Sequence, residues 1–96
     1  ANLIVTARNE EALLVGVSRC LTDFAFCCFC SDLAVDATFQ GRGIGEKLLD
    51  ISAAEAGEHA HFVLLSAPKA VGFYEKIGMQ RLAAAFERPG WKRFAE

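Results

Sequence analysis

The chain predicts an α/β fold of the α+β kind: a mixed, mostly antiparallel sheet with one parallel strand pair, and two helices packed on it. Three observations carry that prediction. Three strand-like apolar runs separated by short turn signals fill the segment up to Asp36. A run with apolar residues at helical spacing then leads to a fourth short strand, and a strand–helix–strand step makes a parallel pair. Finally, 96 residues of which 53% are apolar are enough for one tightly filled domain, residues 1–96, with no internal repeat or linker.

Each element has its own local reason. "NLIVTAR" reads as a strand, "NEEA" as a turn and "LLVGVSRCLT" as a second strand, so the first two make a hairpin. After a turn signal around Asp23, "FAFCCFCSDLAV" supplies a long third strand, whose nearly continuous apolar character predicts burial on both faces. A helix follows the glycines and runs to about Ala56, with Ile44, Leu48 and Ile51 along one face and Glu46, Lys47 and Asp50 elsewhere. "HFVLLS" is the fourth strand. "APKAVGFYEKIG" is the second helix, with Pro68 in its first turn, where a missing N–H costs nothing, and Gly78 as its stop. The tail "MQRLAAAFERPGWKRF" reads as a last hairpin turning at Pro89 and Gly90.

Several functional classes drop out. A net charge of −2 with dispersed basic residues argues against nucleic acid as a partner, although Arg81, Arg88, Lys92 and Arg93 thicken toward the C-terminus. No run approaches the ~18 apolar residues of a membrane span, and no basic start precedes an apolar stretch. The expectation is no membrane partner and a cytoplasmic location. Four cysteines raise a metal or disulfide question, and Cys27 and Cys30 form a C-x-x-C. On a strand, side chains three apart point to opposite faces and cannot share an ion. Cys20 stands alone, and His59 and His61 lie far downstream, so no metal is expected. The cysteines are taken as small buried hydrophobes in a reducing compartment.

The stretch "FQGRGIGEKLL", Phe39 to Leu49, sets three glycines at alternate positions before a helix. It lacks the Lys-Ser/Thr ending of a P-loop and the G-x-G-x-x-G of a dinucleotide site. Two possibilities remain open. Glycines let backbone approach a ligand, and the free N–H groups of a first helical turn attract phosphate. Alternatively, the stretch is only a tight strand-to-helix turn.

Gln40, Gly41, Arg42, Gly43, Ile44 and Gly45 fit the Q/R-x-x-G-x-G/A signature of the GCN5-related N-acetyltransferases, the GNAT superfamily. "DLAVDATFQGRGIGEKLL" resembles that family's strand-loop-helix for acetyl-coenzyme A, and "AVGFYEKIGM" resembles its second conserved segment. The similarity spans roughly Leu3 to Met79 and is especially like the small arylalkylamine (serotonin) N-acetyltransferases. It implies a sheet whose parallel pair is splayed, with the backbone of Leu33, Ala34 and Val35 pairing with the pantetheine arm as a substitute strand. It also implies that the segment from Gln40 through Gly41, Arg42, Gly43, Ile44, Gly45 and Glu46 holds the coenzyme, its N–H groups from Gly41 onward gripping the pyrophosphate. Arg42 adds a charge-assisted contact. Acetyl-CoA is then a co-substrate, with no metal.

In such enzymes a free amine attacks the thioester, so an ammonium must lose a proton, a carbonyl must be polarised and a thiolate must be protonated. Tyr74 is the only tyrosine and matches the family position facing the coenzyme sulfur; with a pKa near ~10 it can donate a proton at neutral pH. It is the expected general acid. The N–H of Val35 or a neighbour would polarise the carbonyl. Where many relatives carry a glutamate base the chain has Phe29 and Phe62, which leaves Asp32 as the candidate base beside the splay. Alternation sets Asp32 on the face of Cys30 and Ala34 unless a bulge resets the parity. His61 opens the fourth strand at the wrong end, and Ala67 replaces an asparagine that touches the coenzyme in relatives. The acceptor is expected to be a small-molecule or peptide amine, and Phe24, Phe26, Phe29 and Phe39 permit a hydrophobic one. Because the chain opens at what resembles the family's second strand, a fragment of a longer protein is expected; the alternative is a homodimer whose second subunit completes the acceptor side. An inactive acyl-CoA-binding module and an interaction domain keeping only the fold are the competing functions.

Overall fold

A computed structural model describes residues 1–88. The first hairpin pairs β1 (Leu3–Arg8) with β2 (Leu14–Thr22) antiparallel. Its turn is closed by Asn9, whose Oδ1 accepts the N–H of Glu11 at 2.9 Å and of Leu13 at 3.0 Å, holding Ala12 at φ 64°. β2 pairs antiparallel with β3 (Cys27–Val35), and β3 pairs parallel with β4 (His61–Leu64), giving the order β1-β2-β3-β4. The parallel pair is joined through α1 (Ile44–Ala56), as the strand–helix–strand step predicts.

Both helices lie on one face of the sheet. Leu49 and Ala56 of α1 close a core with Cys20, Cys28 and Cys30, and Tyr74 and Ile77 pack against it. α2 covers only Val71–Lys76, preceded by a 3-10 turn over Pro68–Ala70, so the expected helix over 67–78 is split at its start. The buried face of α1 is Leu48, Leu49, Ser52 and Ala56, while Ile51 is 37% exposed. That seam is rotated from the expected one because Ser52 can be buried: its Oγ is hydrogen-bonded to the Leu48 carbonyl at 2.7 Å and to Ser18 Oγ at 2.9 Å.

Three further expectations are corrected. β3 is covered on one face only; Cys28 and Cys30 are buried, whereas Cys27 and Phe29 are exposed because neither helix reaches that side. Three cysteines are therefore core residues and Cys27 is not. The third strand also starts at Cys27 and not at Phe24, since Asp23 Oδ1 accepts the N–H groups of Ala25, Phe26 and Cys27 at 2.9, 2.8 and 3.1 Å and folds that stretch into a turn. Residues 79–88 form no strand and contain a turn at Ala83 and Ala84; Pro89 and Gly90, the expected hairpin turn, lie outside the described residues.

Candidate active site

β3 and β4 run together for four residues, Cys27–Cys30 against His61–Leu64, and then part. Which main-chain groups face the resulting gap follows from two bonds. His61 N–H donates to the Phe26 carbonyl at 2.8 Å, and Asp36 N–H donates to the Val15 carbonyl at 2.8 Å. Main-chain groups alternate sides along a strand. Phe26, Cys28 and Cys30 therefore face β4, whereas Asp32, Ala34 and Asp36 face β2. The parity changes at a bulge: Cys20 opposes Cys30 and Arg19 opposes Asp32, leaving Ser31 as the extra residue.

The bulge sorts the expected coenzyme strand. Leu33 and Val35 turn their N–H and C=O toward the gap, while Ala34 turns them toward β2, so of the three residues expected to pair with a pantetheine arm Ala34 is not oriented to do so through its main chain. Side chains are sorted too. Leu33, opposite buried Ser18, packs into the core. Asp32 shares the open face with Ala34 and Arg19 but not with Cys30, the outcome that a bulge produces.

A cavity of about 230 Å³ occupies the gap, lined by Cys30, Asp32, Leu33, Leu64, Ala67 and Tyr74 among others. Tyr74 is half-buried and meets Phe73 edge-on, with ring centroids 5.1 Å apart and planes at 72°. Burial first, and then the Cys30 thiol, push its pKa above the ordinary tyrosine value, so the hydroxyl is protonated at neutral pH. Burial likewise raises the Cys30 thiol, although Ser18 opposes the shift. Asp32 is ion-paired through Oδ2 to Arg19 Nη1 at 3.2 Å, both side chains about half exposed. His61 is exposed at the far end of β4, as expected.

The glycine turn follows the end of β3, and its Arg42, Gly43 and Ile44 line a second cavity, of about 270 Å³, with Thr6 and Ala7 of β1. Gly41 and Gly43 both have φ 81°, in the left-handed region that favours glycine, and a Cβ at either would meet nothing within 4 Å. Gly45 is small for another reason: its Cβ would stand 3.1 Å from Phe73 Cζ, so it lets α2 close on α1. Gly43 caps α1 without any side-chain bond, and the first in-helix donor is Lys47 N–H, to the Gly43 carbonyl at 3.1 Å. The N–H groups of Ile44, Gly45 and Glu46 are therefore the unshared donors of a helix start. Arg42 is steered by the Phe39 ring, 4.9 Å from guanidinium carbon to centroid, and Gln40 Nε2 donates to the Val35 carbonyl at 3.0 Å. That last bond ties the end of β3 to the glycine turn.

A family model described as "Acetyltransferase (GNAT) domain" matches residues 1–81. The chain belongs to the GNAT acetyltransferases. Among curated relatives, the GNAT domain is similar to "Histone acetyltransferase TAP1" of Glycine max, 30% identical over 74 residues that make up 75% of this chain and 32% of that protein. It is also similar to "GCN5-related N-acetyltransferase 2, chloroplastic" of Arabidopsis thaliana, 28% identical over 75 residues, 76% of this chain and 29% of that protein. The chain thus spans about a third of the length of the curated relatives it matches. A solved GNAT-family acetyltransferase from Streptococcus pneumoniae TIGR4 superposes with a TM-score of 0.77 at 27% identity, over 93% of this chain and 70% of that one. A structure from Bacillus anthracis str. Ames, in complex with acetyl coenzyme A, shares the fold with a TM-score of 0.67 at 22% identity, over 78% of this chain and 45% of that one.

The sequence singles out the glycine turn and Tyr74 as candidates; Ser31, Arg19 and Phe73, which contact Asp32, Tyr74 or the Gly45 backbone, it does not. For Ser31 the burial in the structure gives the mark, since the buried and half-buried residues of β3 fall at 28, 30, 33 and 35 and the step of three is the bulge, whereas the nearly continuous apolar run hides that step in the sequence.

Proposed function

We propose that this protein is an acetyl-CoA-dependent N-acetyltransferase acting on a primary amine, small-molecule or peptide, by direct attack. The observation that carries the proposal is that Leu33 and the Tyr74 side chain line one cavity where β3 parts from β4, and that the same strand runs on through Val35, tied by Gln40, to a helix start with unshared donors. In the reaction the amine nitrogen bonds to the thioester carbonyl carbon, the C–S bond breaks and the departing sulfur takes a proton.

Each group has a part in that scheme. Leu33 and Val35 align the donor along the free edge of β3, and the Val35 N–H polarises the carbonyl. Gly41, Arg42, Gly43 and the N–H groups of Ile44, Gly45 and Glu46 bind the diphosphate, with Gln40 holding the turn against β3. Tyr74 is the general acid, kept protonated by its burial. Asp32 is the general base, reached directly or through one water, with Arg19 fixing its carboxylate. A peptide acceptor is supported by the curated relative named a histone acetyltransferase, and exposed Phe26 and Phe29 suit a hydrophobic amine. The four cysteines are free thiols, which suits the reducing cytoplasm we propose as the compartment. No helix among the described residues is long and apolar enough to cross a membrane.

Incubating the full-length protein with acetyl-CoA and a panel of amines, while following free thiol release, tests the proposal. Amine-dependent release is the expected result. Binding of acetyl-CoA without turnover would favour an inactive acyl-CoA-binding module, and absence of binding would leave an interaction domain.

A further inference from the structure

The bulge in β3 is held by more contacts than an ordinary irregularity needs. Ser31, its extra residue, has its Oγ 3.1 Å from the Arg19 carbonyl and 3.3 Å from Asp32 Oδ2, and its one proton can serve either acceptor. The Arg19 guanidinium meets the same Asp32 oxygen at 3.2 Å. On the core side, the Cys30 thiol donates to the Asp32 carbonyl at 3.4 Å, spanning Ser31. An unpaired extra residue is thus bracketed from both faces of the strand.

The alternative to the bulge is a regular ladder one residue out of step. Ser31 would then oppose Arg19 and Asp32 would oppose Ser18, which is fully buried. A carboxylate would enter the core, at a cost of several kcal/mol unless it became neutral. Leu33 and Val35 would leave the core, and their main-chain groups would swing from the gap to β2. Register therefore decides which amides face the gap where β3 parts from β4. The Arg19–Asp32 pair is half exposed, and exposed pairs contribute little to stability.

We propose that Arg19 and Ser31 are positioning residues for the acyl-donor site: together with Asp32 they pin the bulge that turns the Leu33 and Val35 amides to the gap where β3 parts from β4. The inference rests on the function proposed above, in that the cavity is where the donor binds. Arg19 lies outside the lining of the cavity and Ser31 borders it; both act through the main chain of β3. Ser31→Ala removes the bracket on the open face, Ser31→Thr keeps the hydroxyl, and Arg19→Gln removes the ion pair while leaving the Arg19 carbonyl in place.

The test measures coenzyme A affinity calorimetrically for the full-length protein and these three variants, alongside the amide NMR signals of Leu33 and Val35. Losing one net hydrogen bond's worth of positioning predicts a roughly 3- to 10-fold weaker affinity for Ser31→Ala and Arg19→Gln, with both amide signals displaced. Ser31→Thr should restore parental affinity. Folded Ser31→Ala and Arg19→Gln proteins that bind as the parent does would overturn the inference while leaving the proposed function standing, and so would a Ser31→Thr variant as weak as Ser31→Ala. If Ser31→Ala fails to fold, Arg19→Gln decides on the same criteria. A parent that does not bind coenzyme A overturns the function and this inference together.

Discussion

The turn at Asp23 and the turn at Gly43 treat their backbone donors in opposite ways. At Asp23 one carboxylate oxygen accepts three successive N–H groups, so the loop satisfies itself and leaves nothing for a partner. At Gly43 a helix begins with no side-chain cap at all, and three donors face outward beside Arg42. Helix starts are ordinarily capped by Ser, Thr, Asp or Asn, a contribution of roughly 1 kcal/mol. With glycine at the cap position the loss is only a few tenths of a kcal/mol, and the bare donors are left where an anion can supply the missing acceptor. Self-satisfied turns are scaffolding; unsatisfied ones are candidate sites.

Gly43→Asp breaks the contrast most directly, since it gives the second turn the carboxylate that the first one has. Like charges brought together at a binding site cost several kcal/mol, so coenzyme A affinity should fall by roughly 10²-fold or more. Gly43→Ala is the control: its Cβ meets nothing within 4 Å, so affinity should hold, while φ 81° lowers stability by about 1 kcal/mol. Calorimetry and thermal melts separate the two effects. Gly45→Asp is a less direct test, because its Cβ would stand 3.1 Å from Phe73 Cζ and the ring would have to give way as well.

Next in size is Tyr74→Phe, which keeps the aromatic packing and removes only the hydroxyl. The rate constant kcat should drop roughly 10²-fold with donor affinity unchanged. Parental turnover in that variant, with chemistry rate-limiting, would refute the general-acid role. Asp32→Asn should also slow the reaction, and its defect should shrink as pH rises toward the acceptor amine's own pKa, which a pH–rate profile reads. Arg42→Gln, at an exposed position, should weaken coenzyme A binding only about 2- to 5-fold, and less at high salt.

The smallest effect belongs to the self-satisfied turn. Three backbone N–H groups, that of Cys27 foremost, hold the Asp23 carboxyl below its ordinary value of 3.8. A depressed folded pKa means stability that is complete above the unfolded value and is lost as pH falls through the folded one. The parent's Tm should therefore decline below about pH 4 through this group, whereas Asp23→Asn, which cannot ionise, should lack that component. Melts across acid pH check it, and identical slopes would remove the Asp23 contribution.

Much of this was legible in the sequence because local chemistry wrote it there. Apolar, strand-like runs bounded by turn signals defined β1 and β2, helical spacing defined α1, and the glycines and Pro68 marked its approach and the start of α2. What escaped depends on relations between segments. Composition made β3 look buried on both faces, but burial depends on where the helices dock, and both dock on one side. Cys20 looked solitary because its neighbours are cross-strand: Cys30 lies opposite it, and Ser18 Oγ lies 3.5 Å from Cys20 Sγ and 3.7 Å from Cys30 Sγ. In the site, the glycine run and Tyr74 were readable as side-chain identities, whereas the exclusion of Ala34 came from a bulge that reverses every orientation after it.

The inward thiols give the protein a built-in gauge of its own opening. Cys20 and Cys28 have no exposed surface, and burial, followed by the neighbouring Cys20, pushes the Cys28 thiol up to about 11. Alkylating reagents attack thiolate at accessible sulfur, so these positions react only through molecules that have transiently opened. Cys27, exposed on the same strand, reacts with the closed form and calibrates the reagent within the same sample. The ratio of labelling at Cys28 to that at Cys27, read by mass spectrometry, then measures how often β3 comes away from its helices, without a probe having to be added.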